Sequence, residues 1–395
     1  MRKNLRGLSM MAAAVLLPIA CLALYLGILL PDGAFVLPQG NASVLALPKS
    51  AQVGNSSDAP VGQPYRLFGI IPIKSVTATV QQRRYVIPGG QIFGLKLYAK
   101  GVVVVAVDGV AGEHGKENPA AAADLRPGDL VVEIDGQTVL RNSEVQEAIA
   151  DSGGKTLQLK VERDGDSRKT DLTPVKCSDG SYKAGLWVRD SSAGIGTVTF
   201  QDPQTGMLAG LGHAVCDVDS GVAIPISAGE AVPATVKGYY KSSGGKPGEL
   251  CGVFDGEAYA GLLQNGDTGV YGKLYSTAHS EQIRLPVALR QEVKVGKAQI
   301  MATIDGGAPR SYEAEIKKVF PLSGGSKKNM IVQITDSELI AQTGGIVQGM
   351  SGSPILQDGL LVGAVTHVFV NNPLQGYGIF AQTMLETADE LNNAQ

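Results

Sequence analysis

The first pattern along the chain is a long uncharged stretch near the N-terminus, residues 8–30, preceded by three basic residues. As a helix, at about 1.5 Å per residue, it would extend about 34 Å, enough to cross the hydrocarbon core of a bilayer. The basic residues predict a cytoplasmic N-terminus, so the rest of the chain is expected on the extracytoplasmic side. Because the stretch ends without the small residues of a cleavage site, we predict an uncleaved signal anchor, residues 1–30.

Regular alternation of apolar and polar residues begins only after a second kind of segment. Residues 31–64 are rich in Pro, Gly, Ser, Asn and Ala and show no sustained period, which is typical of a linker. Alternation then starts at Val76, Ala78 and Val80, so we interpret residues 65–82 as a connecting strand region.

Residues 83–175 show the pattern of a small α+β unit. Two apolar runs predict strands, and the second of them ends at Asp135-Gly136, a favoured two-residue hairpin turn. Three apolar residues at helical spacing predict one short amphipathic helix: Val145, Ala148 and Ile149. From residue 184 to residue 395 strand patterns dominate, with short helices predicted only at 337–342 and 384–392. The chain is therefore predicted to be mainly β.

The α+β unit resembles a PDZ domain. Ile92-Phe93-Gly94-Leu95 is similar to the carboxylate-binding loop of that family, and the stretches 122–130 and 134–136 are similar to those of bacterial members. The resemblance implies that a peptide C-terminus adds as a strand beside this loop, with its carboxylate on backbone amides. The alternative is a packing module whose groove is occupied or degenerate.

Composition narrows the possible partners. Glycine accounts for 51 of 395 residues and charged residues for only 18%, which favours short strands and tight turns over long surface helices. The net charge of −3 argues against a nucleic-acid partner, which would require a basic face. Cys177, Cys216 and Cys251 follow the predicted anchor, so at most one disulfide can form among them.

The strongest candidate for chemistry is a serine near the C-terminus. Ser351 stands between Gly349-Met350 and Gly352, with Pro354 three residues further on. Glycines allow successive backbone amides to point into one small space, where the Gly349 and Ser351 amides could hold an oxyanion. A hairpin is predicted directly after the serine, as in trypsin-like double barrels, although those enzymes carry Asp where this chain has Met350.

A nucleophilic serine needs a base, and the chain has four histidines, His114, His213, His279 and His367. His213 follows a glycine-led turn among small residues that leave room for a substrate, so it is the predicted base, with His367 as the alternative. The H-x-x-C spacing of His213 and Cys216 also suggests zinc, but a second ligand pair is missing, so no metal is predicted.

The residues alone do not identify the acid that would orient the base. Asp336 ends a predicted strand and precedes Ser351 by 15 positions, while Asp217 and Asp219 lie close to His213. Asp336 could equally be the N-cap of the helix that follows it. A catalytic triad is defined by geometry and not by sequence order, so these residues alone do not decide.

Taken together, these features resemble the stage IV sporulation protein B peptidases of endospore-forming bacteria. The resemblance is carried by an anchor, one PDZ domain and four motifs: Ser192-Ala193-Gly194-Ile195-Gly196-Thr197, Gly212-His213, residues 349–354 and residues 363–370. It implies His213 as base, Asp336 as acid and Ser351 as nucleophile, and it implies no cofactor. It also implies a membrane-anchored, self-cleaving signalling peptidase in the forespore intermembrane space. Such enzymes cleave a regulatory membrane subunit, stage IV sporulation protein FA-like, and thereby trigger intramembrane processing of pro-sigma-K.

Two other functions, from different classes of protein, are alternatives to the signalling peptidase. The first is a non-catalytic anchored adaptor whose serine loop only preserves the fold. The second is a general envelope-stress protease, which is disfavoured because such enzymes usually place the PDZ domain after the protease domain.

Overall fold

The computed structural model describes residues 17–25, 33–36, 61–67, 71–80, 82–113, 115–276, 282–320 and 327–394. The predicted anchor and linker therefore lie largely outside the described residues, as do His114 and His279. Within the described ranges, no helix is long and apolar enough to cross a membrane.

The N-terminal region contributes one helix and a small sheet. The helix, α1, covers residues 17–25. The sheet has the strand order β1-β3-β2, and its strands are β1 Gly33–Val36, β2 Val61–Leu67 and β3 Ile71–Val80.

The part of the chain that follows is mainly β, as predicted. As far as residue 201 its elements are β4 Tyr85–Pro88, β5 Ile92–Val107, β6 Val110–Gly112, β7 Gly115–Glu117, α2 Pro119–Ala122, β8 Leu130–Ile134, β9 Gln137–Thr138, α3 Asn142–Asp151, β10 Leu157–Arg163, β11 Asp166–Leu172, β12 Val175–Lys176, β13 Tyr182–Lys183 and β14 Leu186–Gln201. Beyond it they are β15 Met207–Gly210, β16 Ile226–Tyr240, β17 Glu249–Phe254, β18 Ala260–Gly266, β19 Gly269–Leu274, β20 Leu285–Pro286, a 3₁₀ turn Arg290–Glu292, β21 Gly296–Ala302, β22 Arg310–Val319, β23 Met330–Ile334, α4 Ser337–Thr343, β24 Pro354–Gln357, β25 Leu360–Phe369, β26 Asn372–Phe380 and α5 Ala381–Asn393.

The structure contains two six-stranded barrels. The second barrel is closed in the order β21-β22-β23-β26-β25-β24, and apolar side chains from these strands fill it. In the first barrel, β5-β16-β18-β19-β15-β14 form a ring that the pairing of β14 with β5 closes. A closed barrel leaves no unpaired sheet edge, so each barrel satisfies its backbone internally. The predicted double barrel is present.

The PDZ unit is inserted into the first barrel through two long strands. In β5, Phe93 and Leu95 pack in the core of the first barrel, whereas Val102 and Val104 pack in the core of the PDZ unit. The returning strand, β14, pairs with β5 along this length at eleven positions. The sheet of the PDZ unit continues from there in the order β5-β8-β10-β11.

This topology corrects the predicted peptide-binding loop. Ile92, Phe93, Gly94 and Leu95 lie inside β5 and pair with β14 on one edge. Phe93, Gly94 and Leu95 also pair with β16 on the other edge. A peptide strand needs a free backbone edge, and these three residues have none. Residues 92–99, within the predicted PDZ segment, thus also form part of a strand of the first barrel.

The fold explains why residue 94 is a glycine. A Cβ atom at this position would lie 2.5 Å from the ring of Phe254 and 2.7 Å from Val232. The glycine therefore lets β16 and Phe254 approach β5 closely.

The variant Gly94→Ala tests this placement. Overpacking of a close side-chain contact typically costs about 1–3 kcal/mol, so we expect the free energy of unfolding in urea to fall by about that amount. Gly238→Ala is the matched control, because Gly238 also lies in a strand, β16, and has open space where its Cβ would be. Equal stabilities of the two variants would contradict the placement of residues 92–95 in the barrel.

Candidate active site

The Ser351 loop lies between the two barrels. It leaves α4 through two glycines and enters β24 at Pro354. The Ser351 hydroxyl donates a hydrogen bond to the Thr366 carbonyl at 2.7 Å. Gly349 has φ +94° and Gly352 has φ +96°, a region that favours glycine. Among the described residues, neither the Gly349 amide nor the Ser351 amide donates a hydrogen bond.

Ser351 and Ser353 differ in access. Ser351 is half-buried and lines the cleft described below. Ser353 is fully buried, and its hydroxyl has no hydrogen-bond partner among the described residues. Of the two serines, only Ser351 is reachable by a substrate.

His213 lies on the turn that follows β15. Its Nδ1 is 2.7 Å from the Ala214 carbonyl oxygen, and because a carbonyl only accepts, Nδ1 carries the proton and Nε2 keeps a free lone pair. Asn265, on the β18–β19 hairpin, supports the turn by accepting from the Val215 amide at 2.7 Å and donating to the Val215 carbonyl at 2.8 Å. The sequence did not predict this role of the Asn265 side chain, since no motif near Asn265 marks it as functional.

His367 lies beside the predicted base rather than replacing it. The two imidazole centroids are 4.4 Å apart, with the rings tilted by 37°. Burial lowers the pKa of His213. The pKa of His367 falls to about 4 because of burial, the neighbouring charge of His213 and Lys328. Both imidazoles are therefore neutral at neutral pH.

Asp336 does not meet His213 in this structure. It is the N-cap of α4, and its carboxylate accepts from the Leu339 amide at 2.9 Å and from the Glu313 amide at 3.2 Å. The first amides of a helix have no partner within the helix and need such an acceptor. The predicted role of orienting acid is corrected to that of a helix cap, and Asp336 does not line the cleft.

The two local competitors are also engaged elsewhere. Asp217 is almost fully buried and pairs with Arg189, while Asp219 contacts the same guanidinium at 2.9 Å. Asp217 also accepts from the Ser220 amide at 2.9 Å. Their carboxylates hold the loop after His213 onto β14, and the Ala214 carbonyl is the acceptor on His213 itself.

One cleft of about 780 Å³ contains the candidate nucleophile and both candidate bases. Ser351, His213 and His367 all line it, together with Gly349. Its remaining walls are mostly apolar, and Glu249 is the single residue with a charged carboxylate among the described residues that line it. Cys216 and Cys251 also face the cleft, and both are free thiols.

Comparisons with known proteins agree with this architecture. The family model described as SpoIVB peptidase S55 matches residues 180–385, more than half of the chain. The chain belongs to the SpoIVB peptidase S55 family. A PDZ domain model matches residues 80–173. Membership confirms, at the level of the family, the serine endopeptidase predicted from the sequence.

Individual relatives cover smaller parts of the chain. Zinc metalloprotease RasP of Geobacillus kaustophilus is 30% identical over 125 residues, covering 26% of this chain and 30% of that protein. The chain spans between a quarter and a third of the length of the curated relatives it matches first.

Solved structures give similarly partial matches. The PDZ domain of the SdrC-like protein from Listeria monocytogenes is 25% identical, covers 23% of this chain and 90% of its own, and has a TM-score of 0.20. The active form of the Rv3671c protease from M. tuberculosis is 13% identical, covers 52% and 76%, and has a TM-score of 0.31. At these TM-scores the matches decide nothing about function.

The lowered pKa of His213 makes a prediction about pH dependence. A base acts only when neutral, so lowering its pKa below the ordinary value of about 6.5 extends activity to lower pH. We expect the acidic limb of the kcat/KM profile to have an apparent pKa below 6.5. An acidic limb at or above 6.5, measured with a peptide substrate, would contradict the burial of His213.

Proposed function

We propose that this chain is a signalling serine endopeptidase in which Ser351 is the nucleophile and His213 the base. The observation that carries the proposal is that these two residues, 138 positions apart in sequence, line one cleft between two closed barrels. The proposal does not include Asp336, because the Ala214 carbonyl already fixes Nδ1 of His213.

The first chemical step transfers a proton within the cleft. The Ser351 hydroxyl turns away from the Thr366 carbonyl, its proton passes to Nε2 of His213, and its oxygen attacks the peptide carbonyl of the substrate. Proton transfer to the leaving amine gives an acyl-enzyme, which water then hydrolyses. The neutral imidazole pair suits this step, since a protonated His213 could not accept the proton.

The oxyanion would be held by the amides of Gly349 and Ser351. Both amides lack an acceptor among the described residues, and the positive φ of Gly349 permits the backbone turn between them. Preorganised donors of this kind are worth about 10²–10³ in kcat.

The apolar lining indicates the kind of segment that is cleaved. The apolar residues that line the cleft include Ile346, Val347, Val368, Phe254 and Leu95. An extended segment with uncharged apolar side chains around the scissile bond would bury them here, whereas acidic side chains would meet Glu249.

The biological role rests on family membership. The proposed substrates are the chain itself and a regulatory membrane subunit, stage IV sporulation protein FA-like, whose cleavage triggers processing of pro-sigma-K. The proposed location is the forespore intermembrane space, with the chain held by the anchor at residues 1–30. Binding of peptide C-termini by the PDZ unit would have to use an edge other than residues 92–95.

Self-processing is the direct test of the nucleophile. Purified wild-type chain is expected to shorten on incubation, with cleavage sites that mass spectrometry maps next to apolar residues. Ser351→Ala should lose essentially all turnover, by a factor on the order of 10⁶, together with fluorophosphonate labelling. Ser353→Ala is the matched control and should still be labelled, because the Ser353 hydroxyl is buried. Labelling of the Ser351→Ala chain at another serine would refute the assignment.

The signalling role has a separate test. Coexpression with the regulatory subunit in a host that does not sporulate should yield subunit cleavage with the wild-type chain and none with Ser351→Ala. Cleavage of unfolded casein at a comparable rate would instead favour a general envelope protease, and an uncleaved subunit beside a self-processing enzyme would overturn the signalling role alone.

A further inference from the structure

Strand β14 runs directly against the Ser351 loop, and its two buried threonines face that loop. Thr197 is 1% exposed and Thr199 is fully buried. Gly352 shows how closely the loop approaches the strand, because a Cβ there would lie 2.0 Å from the Thr197 carbonyl oxygen. The nucleophile loop therefore rests on the backbone of β14 without an intervening side chain.

Thr197 contacts the loop at two points. Its hydroxyl donates to the Gly349 carbonyl at 2.7 Å, and its amide donates to the Ser351 carbonyl at 3.0 Å. Thr199 adds a third bond, from its hydroxyl to the Gly352 carbonyl at 2.8 Å. Three of the four carbonyls between Gly349 and Gly352 are thus held by two threonines of β14.

Holding carbonyls also fixes the direction of amides. A peptide unit is planar and trans, so its carbonyl and its amide point to opposite sides. The Gln348 carbonyl accepts from the Leu250 amide at 2.9 Å, which turns the Gly349 amide away from Leu250. The Ser351 amide shares its peptide unit with the Met350 carbonyl, which accepts from the Ser353 amide at 3.0 Å. The Gly349 and Ser351 carbonyls that Thr197 holds belong to the two peptide units on either side of that one. β14 therefore limits rotation of the backbone around the unit that carries the Ser351 amide, and the Gly349 and Ser351 amides remain unpaired among the described residues.

Thr197 also forms a hydrogen bond with the turn that carries His213. The Thr197 carbonyl accepts from the Leu211 amide at 3.2 Å, and Leu211 precedes Gly212-His213. Thr197 is therefore bonded to both segments that supply the catalytic groups, through its hydroxyl and amide on one side and its carbonyl on the other.

We propose that Thr197, with support from Thr199, is a positioning residue that sets the oxyanion-binding conformation of the Ser351 loop. The inference rests on the proposed function, since it assigns a role only if Ser351 is the nucleophile. Neither threonine touches the reacting atoms. Their hydroxyls act through the carbonyls that they hold, and their β-branched shape suits a buried strand.

The test replaces the hydroxyl without changing the shape of the side chain. In the full-length chain, Thr197→Val should lower kcat and the rate of fluorophosphonate labelling by about 10- to 100-fold with less than a threefold change in KM, a fraction of what an oxyanion donor contributes. Thr197→Ser keeps the hydroxyl and should restore the rate to within about threefold.

The matched control is Thr303→Val. Thr303 is also buried, and its hydroxyl also donates to a glycine carbonyl, that of Gly90 at 3.0 Å, away from the Ser351 loop. Its loss should lower the melting temperature as Thr197→Val does but leave kcat unchanged. Should Thr197→Val fail to fold, Thr199→Val, which breaks the single bond to Gly352, is expected to lose about three- to tenfold in kcat.

The outcomes separate this inference from the proposed function. If Thr197→Val matches Thr303→Val in kcat while Ser351→Ala is inactive, the positioning role is wrong and the nucleophile assignment stands. If Thr197→Val folds poorly and Thr199→Val keeps full kcat, the positioning role is also overturned. If Ser351→Ala turns over substrate as fast as wild type, the proposed function itself fails.

Discussion

The antiparallel pairing of β5 with β14 is the constraint on which the rest of the molecule depends. Each strand is 16 residues long, and their eleven paired positions join the PDZ unit to the first barrel and close that barrel at the same time. The register is fixed because a slip by one residue would turn Leu95 and Leu97 out of the barrel core. At its C-terminal end, β14 then meets the Ser351 loop.

This arrangement gives the PDZ unit a rigid attachment. Val103 and Leu130, which belong to its sheet, pack in the same cluster as the side chains of the first barrel. The PDZ unit and the peptidase share strands as well as a core, so neither can be removed without opening the first barrel. Anything that moves the N-terminal half of β14 acts on the strand that holds the nucleophile loop.

The electrostatics of the cleft follow from burial rather than from a charged triad. His213 is held by a backbone carbonyl and faces a second imidazole, and the nearby carboxylates of Asp217 and Asp219 are bound to Arg189. An uncompensated positive charge in such a site is disfavoured by desolvation. The base is thereby kept neutral, which is the state that proton abstraction requires.

Local structure could be predicted from the sequence. The Asp-Gly pairs at 135–136 and 358–359 form the expected hairpin turns, with positive φ at all four residues, because the steric reason for that turn lies within two residues. Helices α4 and α5 lie where 337–342 and 384–392 were predicted. The glycines around Ser351 and the small residues around His213 likewise predicted two of the residues that line the cleft, since both patterns reflect local backbone conformation.

Only the tertiary structure decided where distant segments meet. Residues 92–95 carry a sequence similar to a PDZ loop, but long-range pairing with β14 and β16 makes them a central barrel strand. Asp336 has one carboxylate that could serve as cap or triad acid, and the packing of α4 beside Glu313 selects the cap. Thr197 and Asn265 gain their roles from contacts 152 and 50 positions away. Hydrogen bonds of that span depend on how the barrels close, which no local pattern of side chains records.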